Sequence, residues 1–347
     1  MAEVDFVITW VDGNDPEWQK RKAGVAGKAG AAGDAPEDDR AERYRDWDLL
    51  RYWFRGVERF APWVRQVFFV CGQEPPAWLR TDHPKLRVVR HGEFIPERFL
   101  PTFSSHPIEL NMHRIPGLGE KFVYFNDDMF LIRPVPEERF FYKGLPRDSA
   151  LLNPVPTTDL RDREGGRIFT VPLNNAEYLN RDYSFRECIR KHPLKWLTPR
   201  YGAGALRNLL LFAWPRFVGF DETHLPQPFL KASFAAAWER DGDILEETCG
   251  HALRNDRDVN PWLIRHAQMA EGTFRPVRPE KQAVFHLSRD GERAAAAVRA
   301  QKRNMVCLND DLPDSGRFEE IRKGLEESFR RILPERSGFE REAGSGR

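Results

Sequence analysis

The ten residues Phe122-Val123-Tyr124-Phe125-Asn126-Asp127-Asp128-Met129-Phe130-Leu131 constrain this chain most. Phe, Val and Tyr in succession predict a covered strand. The run halts at two adjacent carboxylates and then resumes apolar. An unpartnered charge in the interior is costly, and two neighbouring carboxylates repel each other. A divalent cation with oxygen ligands relieves both problems. The competing reading is a polar turn in which Asn126 and Asp127 cap the next segment.

The bulk of the chain narrows the setting. Its 347 residues suffice for one large domain or two, and 41% hydrophobic with 12% aromatic residues supports a sizeable core. Lys and Arg number 54 against 53 Asp and Glu, a net charge of +1. That balance argues against a polyelectrolyte partner, so no nucleic acid is expected, while a local basic pocket for a phosphorylated ligand stays open. Cys71, Cys188, Cys249 and Cys307 are too widely spaced for a zinc or redox motif and fit a reducing compartment. The chain runs straight into Val4–Trp10 without a signal-peptide pattern. The longest apolar run, near Leu206 to Trp214, falls short of the roughly 18 residues of a membrane span. The expectation is a cytoplasmic protein without a transmembrane segment. Peripheral association with the inner face of the membrane and homo-oligomerisation are left open.

Along the chain, Phe6 to Val11 reads as a first strand ending in Asp12-Gly13-Asn14-Asp15-Pro16. Carboxylates at the carboxyl end of a strand suit a nucleotide site; the alternative is a turn with Asp15 capping a helix that starts at Pro16. Ala23 to Asp39, rich in Ala, Gly and Asp, reads as a loop. Leu49, Leu50, Trp53, Phe54, Val57 and Phe60 recur at helical spacing after Asp46. Strands follow at Val67–Val70 and Leu86–Val89, giving the alternation of a mainly parallel sheet. Ser104 or Ser105 can cap a helix that would set Glu109 and His113 four residues apart on one face. Pro226 and Pro228 hold His224 in a defined place, ahead of a helix from about Lys231 to Arg240. Met305-Val306-Cys307-Leu308-Asn309-Asp310-Asp311 repeats the theme of the central stretch. The expected organisation is an α/β half over 1–145, a variable helical insertion over 146–220, a helical part completing the site over 221–335, and a disordered tail over 336–347.

Three strand-end carboxylate pairs thus recur: Asp12/Asp15, Asp127/Asp128 and Asp310/Asp311. If folding brings them together they would attract Mg²⁺ or Mn²⁺, which could hold the phosphates of a nucleotide. Arg254 offers a bidentate fork for a phosphate oxygen. His224 has a suitable pKa for taking a proton from an acceptor hydroxyl, with Asp128 as the rival base.

Four blocks carry a resemblance. Asp5 to Pro16 resembles the first conserved block of the Stealth family of sugar-phosphate transferases. Leu100 to Leu118 with Phe122 to Phe130 resembles the second. His224 to Pro228 with Arg254 to Asp258 resembles the third, and Cys307 to Asp310 the short fourth. The resemblance implies a Rossmann-like α/β core, a divalent metal, and transfer of a hexose 1-phosphate such as GlcNAc-1-phosphate. The donor would be a UDP-sugar, the acceptor a glycan hydroxyl, and UMP would leave. Matching positions give His224, Asp128, Glu109 and Arg254 as catalytic candidates. The expected metal ligands are Asp127, Asp128 and Asp310, and the expected donor contacts Asp12, Asp15, His113, Arg114, Lys231 and Asn309. Leu49, Ser104 and the stretch 71–74 depart from the family pattern and leave the donor sugar open. A metal-dependent glycosyltransferase releasing UDP and a non-catalytic glycan-binding protein are the alternatives.

Overall fold

The computed structural model describes residues 3–31, 44–155, 170–312 and 316–342. Strand β1 (Val4–Trp10) is followed by helix α1 (Pro16–Ala31) and helix α2 (Leu50–Phe60). Strands β2 (Val67–Cys71) and β3 (Leu86–Val89), helix α3 (Ser105–Leu110) and strand β4 (Lys121–Phe125) complete the first sheet layer. Strand β5 (Met129–Leu131) and the short strands β6 (Phe141–Tyr142) and β7 (Leu145–Asp148) come next. Helices α4 (Thr170–Asp182), α5 (Phe185–Lys191), α6 (Pro193–Trp196) and α7 (Ala203–Leu211) occupy the stretch expected as an insertion. Strand β8 (Gln227–Leu230) leads into helices α8 (Lys231–Arg240), α9 (Gly242–Gly250) and α10 (Trp262–Ala270). The chain closes with β9 (Arg275–Pro276), β10 (Val284–His286), α11 (Leu287–Ala300), β11 (Met305–Asn309) and α12 (Phe318–Ile332).

The main sheet has the order β3-β2-β1-β4-β8. Its first four strands are parallel and β8 runs antiparallel to β4. This is a mixed α/β fold on a mostly parallel sheet, and both faces of the sheet are covered, as continuous apolar strands require. The two-residue period of a strand divides the core in two. Val4, Phe6 and Ile8 of β1, with Val123 and Phe125 of β4, face one cluster that also holds α2, α11 and α12. Val7, Phe122 and Tyr124 face the other, with α8, α9 and α10. In α2 the residues read as helical from the sequence, Leu50, Trp53, Phe54, Val57 and Phe60, are all buried.

The central stretch joins two sheets. β4 ends at Phe125, Asn126 to Asp128 turn, and β5 pairs antiparallel with β11, which itself pairs parallel with β10. Cys307 lies opposite Met129, so the two Asn-Asp-Asp motifs occupy neighbouring positions in space. The boundary expected near 145 is crossed by two ladders, β4–β8 and β5–β11.

Two expectations need correction. Residues 23–31 of the expected loop are helical and belong to α1, because Ala and Lys favour helix and outweigh the scattered glycines; residues 32–39 lie outside the described residues. The tail is ordered as far as 342. Arg55 of α2 donates from Nε and Nη2 to the two carboxylate oxygens of Glu340 at 2.7 and 2.8 Å, and from Nη1 to the Leu333 carbonyl at 3.0 Å. Both side chains are buried, and Leu79 bridges to Glu340. Residues 343–347 lie outside the described residues. Removing one partner of such a pair leaves a buried charge uncompensated. Glu340→Ala should therefore cost about 3–5 kcal/mol, measured as a lower urea midpoint at unchanged slope. A loss below about 1 kcal/mol would mean that the pair behaves as a surface contact.

Candidate active site

The site lies where the sheet's registers run out. Tyr124 pairs with Gln227 across the antiparallel β4–β8 ladder, so position 224 comes level with position 127. His224 Nε2 then sits 3.3 Å from Asp128 Oδ2 and 3.4 Å from Asn126 Nδ2. From the other side β11 brings the Cys307 thiol, which donates to the same Asp128 Oδ2 at 3.2 Å, while Leu308 N–H donates to the Asp128 carbonyl at 2.8 Å. Asp128 is thus gripped by two sheets. Burial raises its pKa, but the His224 charge and the hydrogen bonds from His224 and Cys307 outweigh that, and its pKa stays below the usual value.

Asp127 behaves differently. Its side chain is exposed at the turn, although protein atoms crowd around it. This crowding, then the charges of Asp128 and Asp46, push its pKa up to about 8. Asp46 is itself raised to about 6 by burial and by the nearby Asp48 and Asp12 charges. Asp12, Asp46, Asp127 and Asp128 thus gather at the carboxyl edge of the sheet.

The register of β1 with β2 places Asp12 level with Gln73. Gln73 Oε1 accepts from Asp12 N–H at 2.9 Å, and its amide donates to the Asp12 carbonyl at 2.9 Å and to Asp15 Oδ2 at 2.8 Å. Asp15 Oδ1 accepts from the N–H groups of Glu17 and Trp18 at 2.9 and 3.4 Å, so Asp15 also caps α1. The bond from Gln73 is the largest of the influences that lower its pKa. The turn is pressed against the next segment: a Cβ on Gly13 would lie 2.2 Å from the Tyr44 carbonyl oxygen, so glycine is required there.

The remaining sequence candidates fall into three places. Glu109 on α3 accepts from the Tyr124 hydroxyl at 3.0 Å, and that hydroxyl contacts Thr9 Oγ1 at 3.0 Å. Arg254 donates to Ser105 Oγ at 3.3 Å, beside a fully buried Asp258 that takes His106 Nδ1 at 2.8 Å and His251 Nδ1 at 2.7 Å. Asp310 accepts from Trp47 Nε1 at 3.0 Å and lies 3.4 Å from Arg45 Nη1, while Asn309 Nδ2 lies 3.3 Å from His286 Nδ1. The third place is the opposite end of β4. Here α3 stops at Leu110 and His113 falls in a separate turn, so the shared helical face expected for Glu109 and His113 does not form. His113 stacks on Phe234, Arg114 lies over Trp238, and Lys231 donates to the Leu118 carbonyl at 3.4 Å. The fold thus brings Asp128 and His224 into contact and leaves His113, Arg114 and Lys231 remote from them. Asn126, Cys307, Gln73, Asp46 and Asp258 were missed as site residues. Gln73 stands in the 71–74 stretch that looked off-pattern, and Cys307 inside the repeated motif.

The donor set fits a divalent cation. Asp128 Oδ1 and Asn126 Oδ1 are buried without a hydrogen-bond partner. Among the described residues, Asp128, His224 and Cys307 present ligand atoms within 4.8 Å of one another. The Cys307 thiol is buried beside Asp128, donates to its Oδ2, and has its pKa pushed well up by burial and the Asp128 charge. The unpartnered oxygens of Asp128 and Asn126 are the hard donors that suit such a cation, while the His224 imidazole is engaged with the other Asp128 oxygen.

Family models for conserved regions 1, 2 and 4 of the Stealth proteins match residues 3–30, 43–148 and 296–346. The receptor polysaccharide phosphotransferase WefC of Streptococcus oralis is 37% identical, over 98% of this chain and all of its own. The capsular polysaccharide phosphotransferase WcwK of Streptococcus pneumoniae is 34% identical, over 98% and 99%. The exopolysaccharide phosphotransferase cps2G of Lactiplantibacillus plantarum is 35% identical, over 98% and 96%. The chain belongs to the Stealth family. This Stealth protein is an enzyme of the transferase class. The matched regions hold Asp12, Asp15, Glu109, His113, Arg114, Asp127, Asp128, Asn309 and Asp310; His224, Lys231 and Arg254 lie between them.

Two measurements check the electrostatics. Burial pushes the thiols of Cys71 and Cys188 up to about 11, that of Cys249 to about 12, and that of Cys307 well above its usual value. A thiol reagent at neutral pH should label none of the four in the folded Stealth protein and all four in denaturant. Burial and neighbouring arginines hold the pKa values of His91 and His113 at about 4, against 6.5 when exposed. The unfolded chain therefore takes up protons first, and their contribution to stability, complete above pH 6.5, is lost as pH falls towards 4. His113→Gln should make the fall in melting temperature over that window shallower; an unchanged slope would mean that His113 protonates freely in the fold.

Proposed function

We propose that this Stealth chain transfers a hexose 1-phosphate from a UDP-sugar to a hydroxyl of an acceptor glycan and releases UMP, in the synthesis of capsular or other cell-surface polysaccharide. Phosphotransfer in polysaccharide synthesis is the activity for which its full-length relatives are named. The observation that carries the finer reading is the His224–Asp128 contact of 3.3 Å at the carboxyl end of β4, beside two buried oxygens that lack partners. The β3-β2-β1-β4 order supports a Rossmann-like reading, in which a nucleotide binds beyond the carboxyl ends of the strands.

Asp128 Oδ1, Asn126 Oδ1 and the Asp127 carboxylate would hold Mg²⁺ or Mn²⁺. When bound, the cation supplies neutralisation of the diphosphate charge. Neutral His224, with its Nε2–H directed at Asp128 Oδ2, takes the proton of the acceptor hydroxyl on Nδ1, and Asp128 stabilises the imidazolium that results. The acceptor oxygen forms a bond to the β-phosphorus. The bond from that phosphorus to the bridging oxygen breaks, and UMP leaves with the bridging oxygen. The sugar-to-phosphate bond survives, so the anomeric configuration is kept. Arg254 binds phosphoryl oxygens from the α3 side. Asp12 and Asp15, shaped by Gln73, form the wall of the cleft beyond β1, and Asp310 orients Arg45 at its rim. Positioning and charge neutralisation supply most of the acceleration in such transfers.

Incubation with a panel of UDP-sugars, acceptor glycan and Mg²⁺ should yield UMP. UDP as the product would overturn phosphotransfer in favour of glycosyl transfer, and binding without turnover would favour a glycan-binding protein. Asp128→Asn should reduce UMP release by about a hundredfold or more at an unchanged urea midpoint. Turnover close to wild type in that variant would remove Asp128 from the site.

A further inference from the structure

The insertion carries a surface that the reaction does not use. Helix α7 is firmly seated on one side. Asn208 is fully buried, accepts from Leu152 N–H at 2.9 Å and donates to the carbonyls of Ala150 and Trp196 at 2.8 and 2.9 Å. Gly204 packs so closely on Leu151 that a Cβ there would lie 2.6 Å from its side chain. The opposite side of the same helix presents Leu206, Leu209 and Leu210 with relative exposures of 58%, 53% and 67%, and Trp214 just beyond it is 57% exposed. Spacings of three and four residues put the leucines on one face. A rigid helix holding three leucines and a tryptophan in water forgoes burial that each side chain would otherwise gain.

Charge identifies what covers this face. Between Tyr183 and Arg216 seven Lys or Arg residues stand against one acid, Glu187. The segment is net +6 in a chain of net +1, so the remainder is net −5. Arg200 immediately before α7 and Arg216 shortly after it are exposed. Arg186 donates to the Phe212 carbonyl at 3.0 Å, which seats a further cation at the helix end. A second copy of the chain would meet this face with the same positive charge. An apolar stripe with a tryptophan and a basic surround matches the boundary between acyl chains and anionic headgroups.

We propose that the α7 face docks on an anionic lipid bilayer. The docked helix shares a frame with the site: Arg207 pairs with Asp221 at 2.7 Å, and Leu152 bridges to Phe220, a few residues before His224. A bilayer on α7 would therefore hold the cleft at a fixed orientation to the membrane. Vesicle binding is read without turnover, so it stands or falls separately from the phosphotransfer reading.

The test is flotation of the full chain with phosphatidylcholine vesicles, with and without about 30 mol % phosphatidylglycerol. The wild type should float with the anionic vesicles and stay behind with the neutral ones. Leu206→Gln with Leu210→Gln, and separately Arg200→Glu with Arg216→Glu, should each weaken binding about tenfold or more. Both variants should keep the wild-type urea midpoint and its turnover of soluble substrates. Absence of wild-type binding to anionic vesicles would overturn the proposal, as would equal binding by the leucine variant. A wild-type dimer in light scattering that the leucine variant converts to monomer would assign the face to self-association instead.

Discussion

Everything at the candidate site depends on one change of partner. Between Phe125 and Met129 the chain leaves a parallel sheet and enters an antiparallel one, and the three residues that make the change are Asn126, Asp127 and Asp128. Strands on either side fix the turn because their registers leave no slack. A slip of one residue in β4 would turn Val123 and Phe125 out of one core and Phe122 and Tyr124 out of the other. Hydrophobic burial on both faces therefore sets where the carboxylates emerge. It also sets where His224 and Cys307 emerge, since β8 and β11 are registered to the same two strands.

That geometry accounts for the electrostatics. The carboxyl edge gathers Asp12, Asp46, Asp127 and Asp128 from separate parts of the chain, and burial, with repulsion from neighbouring carboxylates added, raises Asp127 and Asp46. An edge so charged is poorly suited to stability and well suited to a cation carrying a diphosphate. The two candidate cations are held on separate supports. Arg254 is carried by the loop that Asp258, His106 and His251 pin to α3, and Arg45 is held between Asp310 and the Phe318 ring.

The sequence made the strands and the amphipathic helices legible because burial imposes a period on them. β1, β2, β3 and α2 fall where the period of two or of 3.6 places them. The Asp128–His224 pairing was legible only as two separate candidates, because 96 residues separate them in the chain and a ladder between β4 and β8 closes the gap. Gln73 and Asp258 were illegible for a related reason. Each acts by hydrogen bonds to residues more than fifty or a hundred positions away, and neither residue type signals such a role locally. The pairing of Glu109 with His113 failed because helical spacing was carried past Leu110. Asn111 ends α3 there, with its side chain turned back to donate to the Pro107 carbonyl at 2.8 Å.

The thiol at 307 explains why Asp128 differs from its neighbour. Two donors, the His224 imidazole and the Cys307 S–H, both address Oδ2 of Asp128, and neither reaches Oδ1. A carboxylate held in this way keeps its charge and offers its second oxygen in a fixed direction, beside the unpartnered Oδ1 of Asn126. Asp127 has no such pair of donors, and burial with the Asp128 charge pushes its pKa up to about 8. Serine at 307 would donate as well, but its stronger, shorter hydrogen bond would draw Oδ2 towards β11 and away from His224. A large, weakly donating sulfur fills the apolar junction of the two sheets and still leaves Asp128 within reach of the imidazole.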